Sequence, residues 1–504
     1  MKERYGIVDI GSNTIRLVVF TPREGGGFRL LDELRTRARL GEGLGQDGNI
    51  TPAAMDRAFE VLRHIADYTR GARLDGLEVI GTSALRDAGN ASEFLERVEE
   101  LGLTVRVLPG EVEAKLGVLA VANGFRYRDA WVLDLGGGSA QISRMEGRRM
   151  VDGAAYPLGA VRLSEAFLHS DPPTADEIEA LEAMIAHELG DVAKAMRERP
   201  DPLVMMGGTS RNLARAVQKA DAYPLDLLHG FFMSSERLGS LTDQLLTSTT
   251  RERAGIRGIH PDRADIIVAG AVVLRWLLAA SGQKGFVLSG YGVREGAYFR
   301  HVLEPPHLIH DVAAASIIGA MSLHVGDRAH AAHVRRLARL LFDGLRPIHE
   351  LDDRDADILD AAAALHGVGL SVHYYRQQKH GMHLLTAGPL DGHDHREQAL
   401  IALLVRYQHK EAPKLSPLKE VMGRGDKRRL LMLSGCLRLA DALDRSRAGR
   451  VRDLHIKAGK KTIHLGVEVD DPTAVELWDA STHAEYIERV FQRRLKIEAV
   501  TPNT

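Results

Sequence analysis

Two stretches of this chain share one layout: an apolar run, Asp-x-Gly, small hydroxyl or amide residues, then a second apolar run. Residues 5–20 read YGIVDIGSNTIRLVVF and residues 131–143 read WVLDLGGGSAQIS. Each apolar run has the length and content of a buried strand. A strand, a glycine turn and a returning strand gather backbone N–H groups around a small concavity that suits a phosphate. Glycine lets the backbone come close and adopt conformations a Cβ forbids. Asp134 repels phosphate unless a divalent cation such as Mg2+ lies between them. A hairpin capped by an Asx turn fits either stretch taken alone. The repetition at domain spacing, with Asp9 and Asp134 in matching places, predicts two copies of one unit facing each other.

That pattern resembles the actin, sugar-kinase and heat-shock-chaperone superfamily, whose members clamp phosphates between two ribonuclease H-like lobes. The chain has 504 residues, room for several domains. Its 44% apolar and 27% charged residues are those of an ordinary globular protein. A net charge of -2 gives no global attraction for a polyanion, so neither nucleic acid nor a membrane surface is an expected partner. The single cysteine, Cys436, excludes internal disulfides and lies in an apolar helical pattern that marks a core residue. The N-terminus enters a strand without a signal-peptide core. The most apolar helix, residues 264–281, is interrupted by Arg275 and short for a bilayer. A cytoplasmic enzyme is expected.

Between the two turns, residues 26–34 read as a third strand and residues 35–48 as an Arg- and Gly-rich loop. Thr51-Pro52 opens a helix. Residues 77–81 form a strand whose turn, Thr82 to Asp87, offers free N–H groups and Arg86 to an anion. A capped helix with Arg86 paired to Asp87 fits the same residues. Pro109-Gly110 leads into a helix carrying Glu111 and Glu113. After the second turn come a long helix over residues 174–197, a strand over 202–206, and Gly207-Gly208-Thr209-Ser210 opening another helix. That double glycine admits a planar ring or a phosphate, or serves close packing. Pro305-Pro306 marks a boundary, and 14 of the 22 histidines fall between His301 and His409. His333, His366, His380 and Asp441 are the metal-ligand candidates there. The last segment reads strand, strand, then one helix over residues 477–495.

The motifs VDIGSNTIRLVVF, GTSALRDAGN, PGEVEAKLGV, LDLGGGSAQIS, YPLGAVRL, GGTSRNLA and YGVREGAY occur in this order. Together they closely resemble the exopolyphosphatase and guanosine pentaphosphate phosphohydrolase family. The resemblance implies an α/β fold: two ribonuclease H-like lobes of the actin/sugar-kinase superfamily (1–124 and 125–304), a helical histidine-aspartate-like domain (305–448) and a small α+β C-terminal segment (449–504). It implies hydrolysis of a terminal phosphoanhydride in inorganic polyphosphate or guanosine pentaphosphate, with Mg2+ as cofactor and a homodimer as the expected assembly. Gly11, Ser12, Asn13, Thr14 and Gly136, Gly137, Gly138, Ser139 match its two phosphate loops. Arg86 matches its phosphate-contacting arginine and Glu113 its catalytic glutamate. Asp134 matches its metal-associated aspartate, with Glu113 and Asp9 as further ligands. Gly207, Gly208 and Thr209 resemble the superfamily's nucleotide-side turn.

Two departures stand out. Where the family often has Thr-Glu after the glycine-serine turn, this chain has Ala140-Gln141, one carboxylate fewer beside the metal position. Where the histidine-aspartate fold needs its His-Asp pair, this chain has His366-Gly367. Loss of a charged ligand predicts a helical domain acting as a non-catalytic scaffold. A weakened site of this kind also fits a ligand-binding sensor. Cations at Arg335, Arg336 and Arg339, along residues 424–429, and at Lys460-Lys461 are candidates for gripping a long polyphosphate, or are solvated faces.

Overall fold

The computed structural model describes residues 3–44, 48–409, 411–471 and 474–500. The chain falls into two compact units, residues 1–223 with 228–315, and residues 224–227 with 316–504.

The first unit contains two sheets built on one plan. Strands β1 (Tyr5–Ile10), β2 (Thr14–Pro22), β3 (Phe28–Arg37), β4 (Gly76–Gly81) and β5 (Val105–Val107) lie in the order β3-β2-β1-β4-β5. The first three form an antiparallel meander, and β4 and β5 continue parallel to β1. In the second sheet, β6 (Ala130–Leu135), β7 (Ala140–Glu146) and β8 (Arg149–Tyr156) repeat the meander. There β9 (Leu203–Met206) and β11 (Gly285–Leu288) repeat the parallel pair, and β10 (Phe232–Ser234) adds an antiparallel edge. The duplication read from the two Asp-x-Gly turns is thus two ribonuclease H-like lobes. β1 and β6 are central, with helix-bearing crossovers beside them. Every residue of each is buried except Asp9 and Asp134, which are half-buried at the carboxyl ends. A parallel-sheet strand covered on both faces should read as such a continuous apolar run.

The helices Gly110–Gly124 and Val293–Val302 pack against each other at close range. A Cβ on Gly296 would lie 2.0 Å from the carbonyl oxygen of Leu116, so only glycine allows this crossing. It holds Glu113, near the start of one helix, and Arg294, near the start of the other. The helix Pro52–Ala72 begins as expected, with Thr51 Oγ1 accepting from the N–H of Ala54.

Two readings need correction. β3 runs to Arg37, so residues 35–37 are strand rather than loop; residues 45–47 of the expected loop lie outside the described residues. An edge strand with an open outer face tolerates arginines, and pairing of Arg35 with Arg16 and of Arg37 with Thr14 extends the ladder. At the C-terminus, the single helix over 477–495 is two short helices, Val475–Thr482 and Ala484–Phe491, followed by β14 (Arg494–Val500). Gln492, at φ 53, ends the helix, and RLKIEAV then alternates with period two. β14 lies parallel to β13 (Thr462–Glu468), which pairs antiparallel with β12 (Asp453–Ala458).

The second unit is otherwise helical. Cys436 is fully buried there, and burial pushes its thiol up to about 12, as fits a core residue. The proposed basic track is largely engaged within this unit. Arg335 makes two bonds to Asp360, Arg336 donates to the carbonyl of Val451, and Arg339 pairs with Asp343. Arg428 donates to the carbonyl of His349, and Arg429 holds Asp355 and Asp426. Lys460 and Lys461 remain exposed at the β12–β13 turn. No helix among the described residues is long and apolar enough to cross a membrane.

Candidate active site

The two Asp-x-Gly turns close in the same way. The N–H of Gly11 donates to the carbonyl of Thr14 at 3.2 Å, and that of Gly136 to the carbonyl of Ser139 at 3.0 Å. The amides of Ser12, Asn13, Gly137, Gly138 and Ser139 find no acceptor among the described residues. The turns also touch. A Cβ on Gly138 would lie 2.5 Å from Ser83 Oγ and 2.7 Å from Ser12 Oγ, and one on Gly137 would lie 3.3 Å from the amide nitrogen of Asn13. Ser12 Oγ and Ser83 Oγ are themselves 2.8 Å apart. Asn13 is 5% exposed, yet neither its side-chain oxygen nor its nitrogen has a partner, and Thr14 Oγ1 is likewise unsatisfied. Buried polar atoms are normally paired. Here the orphans sit at the rim of a nest.

The nest opens into a cavity of about 890 Å³. Asp9, Glu113 and Asp134 line it. Asp9 Oδ2 accepts from Arg294 Nη1 at 2.9 Å. Glu113 Oε2 accepts from Arg86 Nη1 at 3.0 Å. Asp134 has no hydrogen bond or ion pair among the described residues. Burial pushes the Glu113 carboxyl up to about 7, with Arg86 opposing and Asp134 adding to the rise. Burial pushes Asp134 up to about 6, with Arg211 opposing and Asp9 adding. Crowded carboxylates with too little positive charge are the donor set a divalent cation would relieve.

The same cavity is rich in arginine, with Glu33 ion-paired to Arg16 at 2.9 Å. Arg16, Arg35, Arg211, Arg215 and Arg263 line it. Arg16 is drawn down to about 9 by burial and by Arg294 and Arg211, and Arg263 to about 9 by burial and by Arg35 and Arg211. Guanidinium groups that oppose one another's charge are poised for an anion. None of these arginines was singled out from sequence. Arg16, Arg211 and Arg294 each sit inside a motif quoted above, a few residues from a glycine turn. Arg263 carries no local signal at all.

Most expected site residues converge, with three exceptions; Gly138 packs on Ser12 and Ser83 without lining the cavity. Arg86 does not line the cavity. It lies behind Glu113, also donating to the carbonyl of Leu108 at 3.0 Å, so it positions the glutamate. Thr209 is fully buried with its side chain against Gly270 rather than in the cavity. Gly207 and Gly208 do line it. Gly207 has φ +103, and a Cβ there would lie 2.4 Å from the carbonyl oxygen of Leu135. Over Gly208 lies Arg263, whose Nη2 is 2.1 Å from where a Cβ would be. A guanidinium therefore lies over the double glycine. Gln141 faces Asp134 across the β6–β7 ladder and donates from Nε2 to Ser139 Oγ at 2.8 Å.

Comparisons with known proteins bear on the family and the fold. The model of the Ppx/GppA phosphatase family matches residues 18–304, and that of Ppx/GppA phosphatase, domain III, matches residues 312–479. The chain is 29% identical over 331 residues to Exopolyphosphatase 1 of Mycobacterium tuberculosis, covering 65% of this chain and 94% of that one. It is 30% identical over 302 residues to Exopolyphosphatase 1 of Mycobacterium leprae, covering 59% and 89%. Among solved structures, an Aquifex aeolicus member of the Ppx/GppA family superposes with a TM-score of 0.51 at 27% identity, covering 60% of this chain and 98% of that one. An exopolyphosphatase from Cytophaga hutchinsonii shares the fold with a TM-score of 0.56 at 24% identity, covering 60% and 98%. With more than half its length matched by the first family model, this chain belongs to the Ppx/GppA phosphatase family.

Proposed function

We infer that the protein is an exopolyphosphatase, releasing terminal phosphate from inorganic polyphosphate by Mg2+-assisted attack of water. The observation that carries this reading is the make-up of one cavity: a nest of free amides, three carboxylates and several arginines line it together. A terminal phosphoryl group held by the amides of Ser12, Asn13, Gly137 and Ser139 would leave its following units among Arg16, Arg211 and Arg263. Each free amide stabilises charge that grows on the equatorial oxygens as the bond breaks. Glu113, held by Arg86, orients the attacking water and takes its proton. Asp134 and Glu113, with Asp9, would hold the metal. When bound, Mg2+ supplies neutralisation of the phosphoanhydride charge. Asp9 stays fixed by Arg294, and Gln141 leaves the metal position with one negative charge fewer than a glutamate would give.

The guanidinium of Arg263 over Gly208 favours polyphosphate over guanosine pentaphosphate, since it fills the place where a base would approach the turn. Homodimerisation and a cytoplasmic location complete the reading, to be checked by light scattering and cell fractionation. The deciding experiment is phosphate release from long-chain polyphosphate and from guanosine pentaphosphate, side by side, with Mg2+. Faster release from polyphosphate is expected. Preference for the nucleotide would reverse the substrate assignment, and saturable binding of both without turnover would make the protein a sensor.

A further inference from the structure

The second unit holds a constellation that the proposed chemistry does not use. Three helices, Arg328–His349, Asp353–Leu365 and Asp426–Ala442, bring His330, His366 and Asp441 together. His330 and His366 are each 6% exposed. Their Nε2 atoms lie 3.1 Å apart, and Asp441 Oδ1 lies 3.5 Å from the first and 3.6 Å from the second.

The other ring nitrogens are fixed from behind. His330 Nδ1 lies 2.7 Å from Asp444 Oδ2, and Asp444, fully buried, accepts from the N–H of Gly449 with its second oxygen. His366 Nδ1 lies 2.7 Å from the carbonyl oxygen of Ala363. Imidazoles held this way, one by a carboxylate and one by a backbone carbonyl, present Nε2 lone pairs to a common point. Gln408, 2% exposed, lines the same small cavity of about 70 Å³ and has a side-chain oxygen with no partner.

We propose that His330, His366 and Asp441 form a binding site for one divalent transition-metal ion. The distances fit one. Ligand atoms separated by 3.1, 3.5 and 3.6 Å lie on a circle of radius about 2.0 Å, so a cation at ~2.1 Å from each would sit ~0.7 Å off their plane. Two imidazoles and one carboxylate suit Zn2+, Mn2+, Fe2+ or Co2+ rather than Mg2+ or Ca2+. Three protein ligands leave coordination positions for water from the cavity, where the Gln408 oxygen can accept a hydrogen bond. Gly367, which made a scaffold the expectation, removes one carboxylate and does nothing else visible. Its φ of -87 and ψ of -1 are open to any residue, and a Cβ there would meet only Leu370 Cδ1 at 4.0 Å. The rival occupant is a proton shared by the two imidazoles.

Metal content settles between them. Full-length protein is stripped with chelator, re-equilibrated with Zn2+ or Co2+, dialysed and assayed by elemental mass spectrometry. One tightly held equivalent is expected, lost in His366→Ala and in Asp441→Asn and kept in Asp134→Asn, which removes a carboxylate from the cavity of the first unit. The Co2+ form should show the visible bands of imidazole coordination. Should His366→Ala fail to fold, Asp441→Asn and Gly367→Asp still decide. Restoring a carboxylate beside His366 should tighten binding by about tenfold or more. No retained metal in the wild type, or retention untouched by Asp441→Asn, overturns the site and leaves the shared proton.

Discussion

Replacing Glu113 with Gln should slow turnover and change how stability responds to pH. Burial lifts the Glu113 carboxyl from 4.5 to about 7, Arg86 notwithstanding. In the unfolded chain it ionises at its ordinary value. Between the two values the native state therefore binds about one more proton than the unfolded state, and stability falls as pH rises. The contribution is whole below 4.5 and exhausted above about 7. At ~1.4 kcal/mol per pH unit, the loss comes to ~3 kcal/mol, most of it between about pH 5 and 8. Gln cannot ionise, so the variant lacks this slope. Its lost bond to Arg86 shifts stability by a constant that cancels when the variant is compared with wild type at both pH values. The comparison should move in the variant's favour by ~2–3 kcal/mol from about pH 5 to 8. Hydrogen exchange in β1 and β6, in EDTA, reads this for the first unit alone. Added Mg2+ should shrink the effect, because it favours the ionised carboxylates. Phosphate release should fall by roughly 10²- to 10⁴-fold. A comparison that stays flat with pH would show that Glu113 ionises normally, and near-normal turnover would take the proton from another group. Glu111 is a poor substitute, since it is exposed and paired with Lys115.

Asn13→Ala should leave the melting temperature unchanged, because its amide has no partner to lose, yet lower kcat/KM by ~10- to 100-fold in steady-state assays. Gln141→Glu reverses the bond with Ser139, whose hydroxyl would then donate, and adds a carboxylate beside Asp134, so half-saturation with Mg2+ should occur at lower concentration in a metal titration of activity. Gly207→Ala should cost more than about 2 kcal/mol in denaturant unfolding, from positive φ and the contact with Leu135 combined. Arg263→Ala should raise KM for long polyphosphate, reduce its salt slope by about one, and improve the relative rate on guanosine pentaphosphate by freeing Gly208.

The parts of this molecule that were legible in its sequence are those whose physics is local. A glycine turn closing an apolar run must place Asp9 and Asp134 at strand ends whatever surrounds them, and Thr51-Pro52 must start a helix. Pro109-Gly110 likewise starts the helix that carries Glu111 and Glu113, between which only the family resemblance chose. Length was harder to read. Residues 35–37 are strand because β2 offers them partners, and residues 494–500 because β13 does; a pairing partner is not written in the segment itself.

The arginines of the cavity were illegible for a stronger reason. Arg16 comes from β2, Arg35 from β3, Arg211 from the helix after Gly207, and Arg263 from a single turn of helix near the start of the long apolar one. An arginine bound for such a cluster is locally identical to one bound for solvent. What marks the difference is a property of the assembled fold, the absence of enough carboxylate to compensate them. The histidines show the same limit at shorter range. His330 and His333 lie one helical turn apart on the same helix, and sequence pattern singled out His333. Only the positions of His366, just past the end of a second helix, and Asp441, on a third, select His330. An active site of this kind is therefore readable where one turn makes it and unreadable where four elements must meet.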